Sequence, residues 1–567
     1  MKKFGTLLVT TAVAALVSTT ALAERGASGH LNIIYWQAPS ILNPYLSGGT
    51  KDIEAASLTL EPLARYNEKA EMVPWLAEEI PTVENGGVSA DLTSITWKLK
   101  KGIKWSDGSD FTAADVVFTA DYCMDETGGC QQSDKFSDIT SIEAVDDHTV
   151  TITFSKPKPF PYAALVGGES PIIQKAQFQD CMGAKAPECT EQNFGPHGTG
   201  PFRVTEFKAN DVSTWEANPN YRDAAKPSFA SLTFKGGGDA ASAARAVLQT
   251  GEFDYAWNLQ IDPQILIDME KAGKGTVVAS FGTGVERMMV NMTNPDPALG
   301  DKRATLEGGP HPFLTDPAVR RALSLAIDRQ TLVDVGYGKA GKPTCNVVPN
   351  PPQYVSTAND WCLTQNIDEA NKVLDEAGWV RGGDGIRAKD GVKLSILYQT
   401  STNAVRQDTQ ALVKQWWSEI GVETELRNID ASVFFGGDQS SPDTFQKFFA
   451  DIEMYTNLFN GTDPEAYMNS WTCGQIPSPS NNWLGNNMPR YCNPAYDALQ
   501  DKLAKTSGLD ARAAIVREMN DMLMTEGAMI PLIHRGRVSA HSNTMGNVKL
   551  NTWDSELWNS ADWVRLQ

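Results

Sequence analysis

The sequence predicts a mixed α/β fold divided into at least two lobes. Segments with strand periodicity alternate with segments of helix periodicity, and residues 393–429 present a strand, a helix and a second strand in succession. That order is typical of a βαβ unit in a mixed sheet. The chain has 567 residues, well beyond the roughly 250–300 at which a single hydrophobic core stops growing.

The first 23 residues have the pattern of a secretory signal peptide. Lys2 and Lys3 precede an apolar stretch at 7–17, and the small residues at 21–23 form a cleavage site. The apolar stretch is shorter than the roughly 20 residues that span a bilayer, and no cysteine lies near the cut. We therefore expect an exported, soluble protein that begins near Glu24 and carries no lipid anchor.

Three segments in the first third of the chain have strand patterns, at residues 31–36, 94–99 and 148–154. In the second of them Ile95 and Trp97 alternate with polar residues and fall on one face.

Residues 111–122 predict a helix with a well-specified start. Thr112 is placed to cap the amino end, and Asp115 is placed to complete a capping box. Phe111 and Val116 have the spacing of a hydrophobic staple across this turn.

The clearest helix pattern covers residues 315–335. Asp316 can cap it and Pro317 takes its first position, where a missing N–H costs nothing. The apolar residues recur every three or four positions and predict a buried stripe of Val319, Ala322, Leu323, Ala326 and Ile327.

A helix at 368–379, ended by Gly378, precedes the βαβ unit. Within that unit the strand patterns lie at 393–399 and 422–429, and the helix pattern lies at 403–420.

Eight cysteines form four couples that are close in sequence, and export would permit disulfides. Eight cysteines allow 105 pairings, so proximity indicates one choice rather than proving it. None of the spacings is C-x-x-C, which disfavours structural zinc and a thioredoxin-like redox site. The expected pairs are Cys123–Cys130, Cys181–Cys189, Cys345–Cys362 and Cys473–Cys492.

The charge and the motifs disfavour several functional classes. The formal net charge is −20, and loss of Lys2 and Lys3 would make it −22, which argues against a nucleic-acid partner. The six histidines are scattered, with no H-E-x-x-H or G-x-S-x-G motif. Residues 336–343 approach a phosphate-loop pattern, but Pro343 replaces its hydroxyl residue. We expect no catalytic residue, no metal and no cofactor, although a triad from distant residues is still possible.

Five ordered blocks resemble the extracellular solute-binding proteins of family 5, the peptide- and nickel-type receptors of ATP-binding-cassette (ABC) importers. "ITWKLKKGIKWSDGSDFTAADVVFTADY" (95–122) resembles the family signature, and "GTGPFRVTEFKANDVSTWEANPNYRD" (198–223) follows it. "VRRALSLAIDRQTLV" (319–333), "EANKVLDEAGW" (369–379) and "SEIGVETEL" (418–426) come later in the family's order. The likeness extends over essentially the whole mature chain.

This resemblance implies a periplasmic-binding-protein type II-like α/β fold of the cluster C type, with two lobes and an extra subdomain on lobe I. Chain crossings near 290–294 and 531–535 would form the hinge. The implied segments are lobe I at 24–60, 195–312 and 533–567, the grafted subdomain at 61–194, and lobe II at 313–532.

Three segments resemble the positions that line the ligand cleft in this family, at 46–52, 253–260 and 457–464, the last with "MYTN" (454–457) just before it. Gly48 and Gly49 would let the backbone come close to a ligand. The candidate ligand-binding residues are Trp36, Ser47, Gly49, Thr50, Trp257, Asn258, Tyr455, Asn457, Asn460 and Asp463.

One position departs from the peptide-binding members of the family. In those proteins an Asp four residues before a Pro binds the α-ammonium of the ligand, whereas here Pro464 is preceded at that distance by Asn460. An amide makes a weaker bond to an ammonium than a carboxylate does. Asp463 corresponds to the acidic residue that directly precedes this Pro in the family, and that residue resembles part of the turn rather than a ligand contact.

The resemblance therefore implies a monomeric periplasmic receptor that binds a small solute and delivers it to the membrane permease of an ABC importer. An oligopeptide or peptide-like ligand is favoured, with an oligosaccharide or an opine-like compound as alternatives. Two other classes stay open: an exported hydrolase on the same scaffold, and a chaperone-like protein that binds unfolded chains.

Overall fold

The computed structural model describes residues 24–459 and 461–566. The predicted signal peptide at 1–23 and the candidate Asn460 lie outside the described residues. Within the described part of the chain, no helix has both the length and the apolar run that crossing a membrane requires.

A seven-stranded mixed sheet organises lobe I. Its strand His30–Tyr35 pairs in parallel with both of its neighbours, so its side chains are covered on both faces. Leu31 and Ile33 pack into one hydrophobic cluster, and Ile34 packs into another. The strand order is Gly275–Ser280, Arg537–Ser542, Tyr255–Trp257, His30–Tyr35, Ser231–Gly236, Val212–Ala217, Phe202–Glu206.

A six-stranded sheet organises lobe II and contains the predicted βαβ unit. Ser395–Ser401 and Glu423–Ile429 pair in parallel, joined by the helix Ala404–Glu419, which confirms this prediction. The strand order is Gly341–Pro343, Met529–Arg535, Val285–Val290, Ile452–Asn457, Ser395–Ser401, Glu423–Ile429.

The grafted subdomain has a three-stranded sheet and a hydrophobic cluster of its own. Its strands are ordered Ser94–Lys98, Thr149–Phe154, Ile139–Asp146. The helix Ala113–Met124 packs on this sheet and begins with the predicted capping box of Thr112 and Asp115. Ile95 and Trp97 are fully buried, as their alternation predicted.

The predicted helix at 315–335 is wrong in one respect, because the structure has two helices there. The first helix, Pro317–Leu325, ends within the predicted stripe, before Ala326 and Ile327. The second helix, Arg329–Gly336, begins after Asp328, whose side chain accepts from the N–H of Thr331. Periodicity alone missed the break because apolar residues continue through it. The predicted stripe is buried throughout.

The chain crosses between the two sheets earlier than the resemblance implied. Val285–Val290 lies inside the lobe II sheet, paired with strands on both sides, so 195–312 is not a continuous part of lobe I. The crossings lie between Ser280 and Val285 and at Gly536, where one sheet's strand ends and the other's begins. The expected hinge at 290–294 therefore needs correction, and the one at 531–535 shifts to the end of its strand.

The four predicted disulfides are all present: Cys123–Cys130, Cys181–Cys189, Cys345–Cys362 and Cys473–Cys492. Each closes a loop of fewer than twenty residues.

The other elements surround these sheets. The remaining short strands are Ala64–Tyr66, Met72–Pro74, Val380–Arg381, Arg387–Lys389, Val392–Lys393, Met545–Gly546 and Val564–Arg565. The remaining α-helices are Thr50–Ala56, Lys175–Phe178, Thr190–Phe194, Ala240–Arg245, Pro263–Glu270, Ile367–Glu376, Ala431–Phe434, Glu465–Asn469, Pro494–Leu503 and Leu509–Thr525.

Candidate functional site

Two adjoining cavities lie between the lobes, with volumes of about 190 and 90 Å³. The first is enclosed by the grafted subdomain, lobe II and the lobe I residues Gly48, Thr50 and Ile53, and the second is enclosed by lobe I and lobe II. They form one continuous cleft, because both are lined by Gly48, Thr50, Phe435, Thr456 and Leu458.

Polar contacts hold the lobes together around this cleft. The Asn403 side chain of lobe II donates to the Gln260 side chain of lobe I at 2.7 Å. The Lys158 ammonium of the subdomain lies 3.1 Å from the Glu465 carboxylate of lobe II. The structure is therefore in a closed arrangement.

Glycines allow the lobes to approach this closely. A Cβ atom on Gly437 of lobe II would lie 2.6 Å from the carbonyl oxygen of Leu46 in lobe I. A Cβ atom on Gly48 would lie 3.3 Å from the ring of Phe445. Because these glycines have no side chain, the two lobes can touch at these positions. The same lack of a side chain keeps the cavities accessible.

The cavities bring together most of the predicted ligand-binding residues. Tyr455, Asn457 and Asp463 line the first cavity, Gly49, Trp257 and Asn258 line the second, and Thr50 lines both. Their role in binding is still a prediction, and Asn460 lies outside the described residues.

Trp36 and Ser47 are not among the residues that line either cavity, and their role in binding stays a prediction. Trp36 is 8% exposed, packs in a hydrophobic cluster, and donates from Nε1 to the carbonyl of Asn258 at 2.8 Å. The Ser47 hydroxyl donates to Asp52 at 2.6 Å and accepts from the N–H of Gly49. Both side chains support the residues that do line the cleft.

Asp463 is not available as an anchor for a ligand cation. Its two carboxylate oxygens accept from Arg512 at 2.8 and 2.6 Å, and it also accepts from the N–H of Glu465. Burial raises the pKa of Asp463, although Arg512 opposes this shift. The residue belongs to the turn, as the resemblance implied.

Trp257 and Asn258 supply an aromatic wall and an amide to the second cavity. Trp257 is stacked on Tyr35 with ring centroids 4.7 Å apart and planes inclined by 4°. Asn258 has a left-handed φ of 57° and accepts from Arg535 through its side-chain oxygen. Such a site combines stacking with directional hydrogen bonding.

Sequence reasoning missed an array of charged residues that the subdomain contributes to the first cavity. Lys135 pairs with Glu169 at 2.9 Å, and Asp138 pairs with both Lys156 and Lys158. The charged stretch "SDKFSD" (133–138) was the available signal. The segments that resemble the family's cleft lie outside 61–194, so the sequence predicted only packing residues in the subdomain.

A buried arginine behind the first cavity was also missed. Arg287 is 1% exposed, and its guanidinium lies 5.8, 5.5 and 5.3 Å from the ring centroids of Tyr455, Tyr467 and Trp471. It donates to the Tyr467 hydroxyl and has no carboxylate within 4.0 Å in the described part of the chain. Tyr455 and Tyr467 line the cavity, so a positive charge lies behind this aromatic wall.

A second group of buried charges lies under the smaller cavity. Arg537 lies 2.8 Å from Glu54 and 3.8 Å from Glu556, so two carboxylates share one guanidinium. Burial raises the pKa of Glu54 to about 7, where Arg537 opposes the shift and Glu556 adds to it. The Tyr255 hydroxyl donates to Glu556.

Replacing Glu54 with Gln is expected to flatten the pH dependence of stability between pH 4.5 and about 7. The folded pKa is raised from 4.5 to about 7, so folding takes up a proton in this window and wild-type stability falls as pH rises through it. The shift corresponds to at most about 3 kcal/mol. Urea unfolding across this range measures the slope, with the exposed Glu252→Gln as control. An unchanged slope in the Glu54 variant would contradict the assignment.

No group of three or more His, Cys, Asp or Glu side chains within the described residues has a geometry suited to a metal ion. The residues that line the cleft supply amides, aromatic rings, hydroxyls and paired charges. Such groups recognise a polar organic solute.

Comparison with known proteins places this cleft in a family context. A curated relative, the glutathione-binding protein GsiB of Shigella boydii, is 24% identical over 506 residues, covering 89% of this chain and 88% of the relative. The oligopeptide-binding protein AppA of Bacillus subtilis, solved with a nonapeptide, superposes with a TM-score of 0.80 at 22% identity, covering 96% of this chain and all of AppA. The binding protein AgaA of A. tumefaciens R10, solved with agropinic acid, superposes with a TM-score of 0.76 at 19% identity, covering 95% and 99%.

The family model described as "Bacterial extracellular solute-binding proteins, family 5 Middle" matches residues 71–479. This range includes most of the grafted subdomain, the strand Val285–Val290 and most of lobe II. With the two-lobed fold and the interlobe cleft, it shows that the chain belongs to the family 5 extracellular solute-binding proteins.

Proposed function

We propose that this protein is the receptor of an ABC importer and that it captures a peptide-like solute between its lobes. The single observation that supports this most is the continuous cleft enclosed where the two lobes meet. Its lining combines amides, aromatic rings and charges of both signs. A zwitterionic peptide has groups that match each of them.

The relatives support a peptide-like ligand over the alternatives. One is named for binding glutathione, and one was solved with a nonapeptide. The agropinic acid complex keeps an opine-like ligand as the second candidate, and Trp257 in the smaller cavity is the kind of side chain that stacks on such a compound.

A receptor of this kind works outside the cytoplasmic membrane and together with a permease. The receptor acts as a monomer in the periplasm after loss of residues 1–23, passes its solute to a membrane permease, and releases it chemically unchanged. The connections at 281–284 and Gly536 act as the hinge, because within residues 24–459 and 461–566 these are the two places where the chain passes from one large sheet to the other.

A thermal-shift screen of the mature protein against di- and tripeptides, glutathione, oligosaccharides and opines tests this function. We expect peptides to raise the melting temperature with the concentration dependence of single-site binding. Intact ligand should be recovered after long incubation. Stabilisation by no compound, or turnover of a bound peptide, would contradict the receptor role, and stabilisation by opines alone would favour the second candidate.

A further inference from the structure

The acidic residues that line the first cavity differ in whether they already form an ion pair with a basic side chain. Four of them have a basic partner within 4.0 Å: Asp138, Glu169, Asp463 and Glu465. The fifth, Asp134, has no ion pair and no hydrogen bond to another side chain among the described residues.

Asp134 is held in place by its neighbours in the turn Ser133–Phe136. Phe136 is buried in the subdomain core, and Lys135 is occupied by Glu169 at 2.9 Å. The Asp134 side chain is partly exposed, and it lines the cavity. Burial, with Glu169 nearby, raises the pKa of Asp134 although Lys135 opposes the shift, so a bound cation would stabilise its ionised form.

The basic side chains that line the cavity are already engaged in ion pairs. Three lysines line it, Lys135, Lys156 and Lys158, and each is engaged with a carboxylate. Arg512 lies behind the lining and neutralises Asp463. These four cations account for the ion pairs of the other four lining carboxylates. Arg287 adds a further positive charge behind Tyr455 and Tyr467, so the lack of an ion pair, and not the net charge, distinguishes Asp134.

The position that resembles the family's ammonium anchor is Asn460 in this sequence, which carries no charge. An ammonium ion entering a partly buried cavity requires a carboxylate for compensation. Asp134 is the one lining carboxylate that could provide it without breaking an ion pair seen in the described structure.

We propose that Asp134, in the grafted subdomain, accepts the primary ammonium group of the ligand. The inference depends on the proposed function, since it assigns one contact within the same cleft. It implies that the subdomain takes part in recognition and that the ligand's cationic end faces the subdomain.

Isothermal titration calorimetry with trialanine, glutathione and their N-acetylated forms tests this assignment. Asp134→Asn is expected to weaken binding of the free-amino probes at least tenfold and to leave the acetylated forms unchanged. Asp134→Glu should restore part of the affinity. The matched control is Asp121→Asn, which removes the same charge from an exposed site on the helix Ala113–Met124, and it should bind like wild type.

The outcomes separate the two proposals. Wild type that binds free and acetylated probes equally well, or an Asp134→Asn variant that keeps its full affinity, would overturn the anchor and leave the receptor role intact. Wild type that binds none of the probes would count against both. Melting temperatures of the variants show whether a loss of affinity reflects loss of folding.

Discussion

Replacing Glu286 with Gln is expected to destabilise the protein by about 3–5 kcal/mol, the usual cost of removing one member of a buried ion pair. Glu286 is 1% exposed and lies 2.8 Å from Arg406 and 3.5 Å from Arg535. Without its charge, two buried guanidinium groups would face each other beside the crossing at Gly536. The Thr456 hydroxyl, which donates to Glu286, would lose its charged acceptor.

Urea unfolding at neutral pH measures this effect, with Glu425→Gln as the control, because Glu425 is exposed on the edge strand Glu423–Ile429 of the same sheet. Burial acts to raise the pKa of Glu286, but Arg406 and Arg535 outweigh it and the pKa is lowered. Its contribution is therefore present above the unfolded pKa and is lost as pH falls. A loss below about 1 kcal/mol at neutral pH would contradict the role of this network.

Replacing Gly437 with Val is expected to prevent full closure of the lobes and to weaken ligand binding about 10- to 100-fold. Any β-carbon at this position would lie 2.6 Å from the Leu46 carbonyl of the opposite lobe. Overpacking of this kind costs about 1–3 kcal/mol, which the lobes can avoid by staying apart. The cost then falls on the closed, ligand-bound state rather than on folding.

Calorimetry with the best peptide from the screen, together with small-angle scattering, measures this change. At a ligand concentration that saturates the wild-type protein, the variant should stay in a more open shape. In the absence of ligand, it should have the same melting temperature as the wild-type protein. Gly474→Val is the matched control, because no atom lies within 4 Å of its Cβ position. Wild-type affinity and compactness in the Gly437 variant would show that the contact does not limit closure.

The elements that sequence predicted correctly are those decided by near neighbours in the chain. The capping box of Thr112 and Asp115 needs only one helical turn. The βαβ unit follows from hydrophobic periodicity over 393–429. The four disulfides join cysteines that are close in sequence, where a short loop brings them together most readily.

The two errors have different causes, one in a local helix cap and the other in contacts between distant segments. Residues 315–335 contain a continuous apolar stripe, yet Asp328 caps a second helix inside it. The strand Val285–Val290 joined lobe II because it pairs with Ile452–Asn457 and Met529–Arg535. Neither partner lies within 150 residues of it, so no local pattern could reveal the pairing.

The sequence by itself determined the family, the two-lobed α/β class, the disulfides and the segments that approach the cleft. Only the tertiary structure decided which charges are already paired: Asp463 is held by Arg512, while Asp134 lines the cavity and forms no ion pair with any described residue. The physical reason is that an ion pair depends on a distance of a few ångströms, often between segments far apart in the chain. Composition and motif spacing report which charges exist, but the fold determines which of them remain for a ligand.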